Sequence, residues 1–298
     1  MPETQLVGVF SLFILMMIVG LELTPADFRR VLAEPATVVG GTLAQLVLLP
    51  LMTWALVALL DVPPVFGAGA ILVAASPGAG MSNILTALAR ANTALSVTLT
   101  AVASLLSVVT LPALAALGIR LFLDDRVDVD VPIGPLMLQL SVALLLPIAL
   151  GMWMRARRPD LAHRYAPRLQ RWGIAGLVLL IVLAALFSED ERTQVDLSQL
   201  EIGFLAAALW TLAAMAIGWL VALALRLAPA DRFTFLIEFS ARNVAVASIV
   251  ALTGLERLDL AFFGGVYVAI GYPLAGAAVV WRRRRAVVAQ RTAGDRKR

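Results

Sequence analysis

Ala75-Ser-Pro-Gly-Ala-Gly-Met-Ser-Asn83 lies in the middle of a run, 65–91, that is otherwise apolar enough to cross a bilayer. Proline removes a backbone donor and clashes with the preceding turn, and glycine tolerates non-helical angles, so Pro77-Gly78-Ala-Gly80 predicts two half-helices where one would be expected. Backbone freed at membrane depth is tolerated only where protein or a water-filled cavity surrounds it. The second half, starting near Met81, then points N–H groups and a positive dipole end into that cavity, which suits an anionic group. Carbonyls freed from the first half, with the oxygens of Ser82 and Asn83, suit a small hard cation. The plainer alternative is a proline kink that only shapes packing.

Working outward, Phe235-Leu-Ile-Glu-Phe-Ser-Ala-Arg-Asn-Val244 is the other anomaly, because it sets Glu238, Arg242 and Asn243 inside a run otherwise fit for lipid. A charge near the bilayer centre costs on the order of 3 kcal/mol, so such residues mark a functional site with a partner. The competing reading is that Glu238 and Arg242, spaced i and i+4, neutralise one another on one helix face.

The 298 residues are 61% hydrophobic and 15% charged, with a mean hydropathy of +0.91. A soluble domain is about half apolar and a quarter charged, so this is an all-α polytopic membrane protein. At about 20 apolar residues per crossing, nine runs emerge: 4–23, 37–60, 65–91, 94–119, 133–154, 172–188, 200–225, 232–254 and 259–281. The connections, Thr24 to Ala36 among them, are short or charged. The first run follows Glu3 and no Lys or Arg, and is read as a retained helix rather than a signal peptide. With the N-terminus outside, nineteen of the 24 Lys and Arg face the cytoplasm and four face out, Arg242 being intramembrane. That bias places the C-terminus in the cytoplasm, with a basic tail over 282–298 and the acidic stretches Asp124–Asp130 and Glu189–Glu191 outside.

Transporters often repeat a discontinuous helix in two inverted halves, with the site where the halves meet. The third and eighth runs are the candidates here. No break is visible in the eighth, since Ile237 to Val244 holds neither proline nor glycine.

Gly20-Leu-Glu-Leu-Thr-Pro-Ala-Asp-Phe28, Leu43-Ala-Gln45 followed by Pro50, and Ser76-Pro-Gly-Ala-Gly-Met-Ser-Asn83 leading into Leu88-Ala-Arg-Ala-Asn-Thr-Ala-Leu-Ser96-Val-Thr-Leu-Thr100 resemble the bile acid:sodium symporter family. The resemblance covers nearly the whole chain. It implies a bacterial-type member of the inner membrane, with nine helices where many relatives have ten, and an inverted-repeat fold with two crossed discontinuous helices. It further implies a panel, about 4–23 and 133–188, beside a core, about 37–119 and 200–281. Carried over residue by residue, a first sodium site falls on Ser82, Asn83, Ser96, Thr100 and Glu238, all oxygen-bearing as a hard cation requires. Gln45 keeps one ligand of a second site, but the family's glutamine there is replaced by Arg242, whose guanidinium has no acceptor and cannot coordinate sodium.

Three readings of Arg242 stand open. It replaces the second ion as a tethered cation, leaving one sodium per cycle; it binds the carboxylate of an anionic substrate; or it holds Glu238 so firmly that sodium coupling is lost. The first is preferred because the other site is intact. Asn243, Gly80, Met81, Arg242 and Tyr272 are the candidate substrate-lining residues. The expected partners are sodium, an organic anion (bile-acid-like or a small carboxylate) and the bilayer, without nucleic acid. No cofactor is implied, and cargo and oligomeric state are not legible.

Enzyme chemistry is excluded by the residue inventory. There is no cysteine, the single histidine, His163, lies in a basic loop, and Glu238 has no second intramembrane acid. A sodium-independent permease, uniporter or channel is the rival, since broken helices also line pores.

Overall fold

The computed structural model describes residues 10, 13–14, 16–21, 23–122, 133–160, 164–165, 168, 172, 200–255 and 257–295. The sixth expected run beyond 172, His163 and both acidic stretches lie outside the described residues. Among the described residues there is no strand, and the chain is a succession of helices. These are α1 (Pro25–Ala33), α2 (Pro35–Leu60), α3 (Pro64–Ala75), α4 (Gly80–Leu88), α5 (Thr93–Phe122), α6 (Ile133–Leu140) and α7 (Leu146–Arg157), then α8 (Leu200–Ala224), α9 (Pro229–Ser240), α10 (Val244–Ile249) and α11 (Phe262–Asp295). A π-helical turn, Ser141–Leu145, joins α6 to α7, and another, Val250–Gly254, extends α10.

Helix starts follow the proline rule. Pro25, Pro35, Pro64 and Pro229 each open a helix, where the missing N–H is one that would go unpaired in any case. Among the described residues, five helical stretches are long and apolar enough to cross a membrane: Pro35–Leu60, Thr93–Phe122, Met137–Arg157, Leu200–Ala224 and Leu258–Arg285. Two further segments are broken in the middle. The first stops at Ala75 and resumes at Gly80, where the sequence predicts it. The second stops at Ser240 and resumes at Val244, where nothing in the local sequence predicts it. Two expected boundaries shift. The connection from Thr24 to Ala36 contains α1, and the last helix runs on past 281 to Asp295.

Close backbone approach organises the packing. α8 lies along α9 and touches α11 and α2, while α3 lies against α5. A Cβ on Gly218 would stand 2.5 Å from the Phe235 carbonyl oxygen, so α8 and α9 meet almost backbone to backbone. Trp210 of α8 is fully buried and donates its indole N–H to Thr53 Oγ1 of α2 at 2.7 Å. Phe235 and Phe239 stack one turn apart, with centroids separated by 5.8 Å.

Candidate functional site

The two breaks meet. Gly78 and Arg242 form an isolated antiparallel bridge, and the Asn243 N–H donates to the Pro77 carbonyl at 2.9 Å. Backbone groups released by one interruption are therefore satisfied partly by the other, as burial at this depth demands.

Glu238, on the last turn of α9, is fully buried beside this crossing. Its Oε1 lies 2.6 Å from Ser82 Oγ of α4, 3.3 Å from Thr100 Oγ1 of α5, and in hydrogen-bond contact with Ser96 Oγ of α5. Its Oε2 is 3.1 Å from Thr100 Oγ1. Ser96 and Thr100 share one helix face, being four residues apart. Two more acceptors compete for the same hydroxyls: Ala79 O, 2.6 Å from Ser82 Oγ, and Asn83 Oδ1, 2.9 Å from Ser96 Oγ. These three hydroxyls thus bind the carboxylate and two neutral oxygens, of which Ala79 O also accepts the Ser82 N–H at 2.9 Å. Such a cluster of buried oxygens around one carboxylate has the donor chemistry of a hard-cation site. The site also depends on Gly78, where a Cβ would fall 2.6 Å from Glu238 Oε2 and 2.7 Å from Thr100 Oγ1.

Arg242 is equally buried but turns away from the carboxylate. Helix α9 ends at Ser240, so the i, i+4 relation that would pair Arg242 with Glu238 on one face does not exist. The guanidinium donates through Nη1 to Gln45 Oε1 at 2.6 Å and to the Glu238 carbonyl at 3.3 Å, and through Nη2 to the carbonyls of Ala74, at 3.4 Å, and Ser76. Two carbonyls freed at the first break, which sequence reasoning offered to a metal ion, are thus taken by an arginine. Arg242 Nε and Gln45 Nε2 meet no acceptor among the described residues.

The remaining sequence candidates divide. Gly80 and Met81 head α4 and are half-buried. Asn243 caps α10, its Oδ1 accepting from the Val246 N–H at 3.3 Å. Tyr272 donates its hydroxyl to the Arg242 carbonyl at 2.8 Å. Sequence reasoning missed Tyr267, fully buried on α11, which donates to the Ser240 carbonyl and accepts the Arg242 N–H at 2.9 Å. No local signal marks it, because its partners lie more than 20 residues away.

The Sodium Bile acid symporter family matches residues 9–194. The chain belongs to that family. Among relatives of this symporter family, a probable sodium/metabolite cotransporter, BASS1, of Arabidopsis thaliana chloroplasts is 29% identical over 95% of this chain and 67% of its own length. The chloroplastic BASS2 protein of rice, Oryza sativa subsp. japonica, is 30% identical over 95% of this chain and 65% of its own. The sodium-dependent transporter YocS of Bacillus subtilis (strain 168) is 34% identical over 57% of this chain and 52% of its own. The chain spans between about half and two thirds of the length of these symporter relatives. The family match includes Gln45, Ser82, Asn83, Ser96 and Thr100, and stops before Glu238 and Arg242.

Proposed function

We propose that the chain is a secondary active transporter that takes up an organic anion together with sodium by alternating access. The carrying observation is the oxygen cluster around Glu238, where a single carboxylate and neutral oxygens from α4 and α5 converge in a buried break. One carboxylate with neutral ligands suits a monovalent cation. The names of the relatives, sodium/metabolite cotransporters and a sodium-dependent transporter, support the same reading.

On this reading sodium is held by Ser82, Asn83, Ser96, Thr100 and Glu238. Binding it removes the uncompensated charge that would otherwise oppose moving the site through a low-dielectric interior. Arg242 takes the place of a second ion. Its guanidinium is surrounded by Gln45 Oε1 and the carbonyls of Glu238, Ala74 and Ser76, all acceptors, as a small bound cation would be. One sodium then moves per cycle. The cargo, bile-acid-like or a small carboxylate, lies against Gly80 and Met81 at the head of α4 and near Asn243 and Tyr272. The wider architecture follows the symporter family: nine spans in an inverted repeat, a panel over 4–23 and 133–188 beside a core over 37–119 and 200–281, in a bacterial inner membrane with the N-terminus outside.

A second reading has an observation of its own. Arg242 Nε and Gln45 Nε2 are buried donors with no acceptor among the described residues, and a substrate carboxylate would satisfy both. Uptake into proteoliposomes, with cargo found by a thermal-shift screen of organic acids with and without sodium, separates the two. If Arg242 is a tethered cation, Arg242→Gln raises the sodium Hill coefficient from about one towards about two with substrate KM little changed. If it grips the cargo, KM rises by about tenfold or more and the Hill coefficient stays put. Equal uptake with and without sodium would overturn sodium coupling and leave a uniporter, permease or channel.

A further inference from the structure

We propose that Tyr267 is a positioning residue whose hydroxyl, assisted by that of Tyr272, holds the second break open and thereby fixes where the Arg242 guanidinium sits. The proposal rests on the transport reading above for its functional meaning, but its structural basis is independent of it.

Residues 237–244 are Ile, Glu, Phe, Ser, Ala, Arg, Asn and Val, with no residue that forbids a helix. Left alone, α9 would continue. Its next bonds would run from the Arg242 N–H to the Glu238 carbonyl and from the Val244 N–H to the Ser240 carbonyl. Tyr267 intercepts both. The Arg242 N–H donates instead to the Tyr267 hydroxyl at 2.9 Å, and that hydroxyl donates in turn to the Ser240 carbonyl. The Val244 N–H is left to the Arg242 carbonyl at 3.1 Å, which also accepts the Tyr272 hydroxyl at 2.8 Å. The vacated Glu238 carbonyl then receives the guanidinium of Arg242 itself at 3.3 Å.

The brace is stiff enough for the task. Tyr267 is fully buried, and its ring meets Trp210 edge-on at 5.3 Å and 88°, while Trp210 is anchored to Thr53 on α2. Tyr272 also packs against the Tyr267 ring, with centroids 5.6 Å apart. One hydroxyl therefore does at the second break what proline and glycine do at the first. Without it, α9 extends by about a turn, the guanidinium leaves Gln45, and it swings towards Glu238, where it competes with a bound cation.

The test uses purified full-length protein, radiolabelled sodium as the probe, and amide hydrogen exchange over 239–244. Tyr267→Phe keeps the ring and removes only the hydroxyl. It should alter exchange in that segment and weaken sodium binding by about tenfold, while Tyr272→Phe, which removes one bond, acts in the same direction to a smaller extent. Adding Arg242→Gln to Tyr267→Phe should restore sodium affinity to that of Arg242→Gln alone, because the displaced competitor is gone; a general loss of structure would not be rescued this way. Unchanged exchange and affinity in Tyr267→Phe, or a double variant as weak as the single one, overturns the proposal. If the wild-type chain binds no more sodium than Glu238→Gln, the transport reading falls. In that case the exchange data alone decide Tyr267's role: a changed pattern sustains it and an unchanged one removes it.

Discussion

At the scale of single residues, the site is set by what may approach Glu238. Gly78 leaves room for the carboxylate and for Thr100, and no other residue could, because a Cβ there would lie under 3 Å from both oxygens. Gly78→Ala should therefore push the carboxylate off its hydroxyl partners. We expect sodium affinity to fall by about tenfold and stability by about 1–3 kcal/mol, read by radiolabelled sodium binding and by thermal unfolding. Wild-type affinity in that variant would mean that the carboxylate is not the ligand. Pro77 and Gly78 act through their own backbone, so the first break was legible in the sequence. The second was not, since the groups that hold it open, Tyr267 and Tyr272, stand on a helix that begins only at Phe262. Glu238 and Arg242 were conspicuous as charges, but their separation in space depends on α9 ending at Ser240, which spacing alone does not reveal.

Between elements, the register of α5 against α9 decides whether Ser96 faces Glu238. The register is set one helical turn earlier, where Asn92 joins the two helices. Its N–H donates to Thr234 Oγ1 at 3.0 Å, its Nδ2 donates to Asp231 Oδ1 at 2.8 Å, and its Oδ1 caps α5 by accepting from the Leu95 N–H at 3.1 Å. Ser96 and Glu238 each follow four residues after Asn92 and Thr234, so the second rung repeats the first about 6 Å along. Asn92→Ala should cost about 1–3 kcal/mol through the lost cap and joint, and should weaken sodium binding although residue 92 is no ligand. A stability loss with sodium affinity intact would show that the joint only adds stability. Among the described residues the apolar runs set out the helices because hydropathy is summed over many residues, whereas helix ends were less legible. Past residue 281 the chain stays helical through Arg282–Arg285, since arginine forms helices well and the edge of the bilayer does not stop one.

For the molecule as a whole, charge asymmetry predicts orientation. Arg283, Arg284 and Arg285 follow the apolar part of α11, and Arg282 turns back to lie 4.7 Å over the Phe233 ring and donate to the Ala89 carbonyl at 3.1 Å. The chain has no cysteine, so Arg285→Cys gives a single reporter without further engineering. A membrane-impermeant thiol reagent should label it in inside-out vesicles and spare it in intact cells. The reverse pattern would invert the topology.

The hydrogen bond from Asn243 to Pro77 has a mechanical consequence. Straightening one interruption alone costs a buried hydrogen bond, because it strands a polar group of the other in a place without water. The α3–α4 and α9–α10 pairs are thereby spliced at mid-height, and whatever displaces one pair must carry the other along. A load felt by the carboxylate on one strut is transmitted to the other without an intervening side-chain relay.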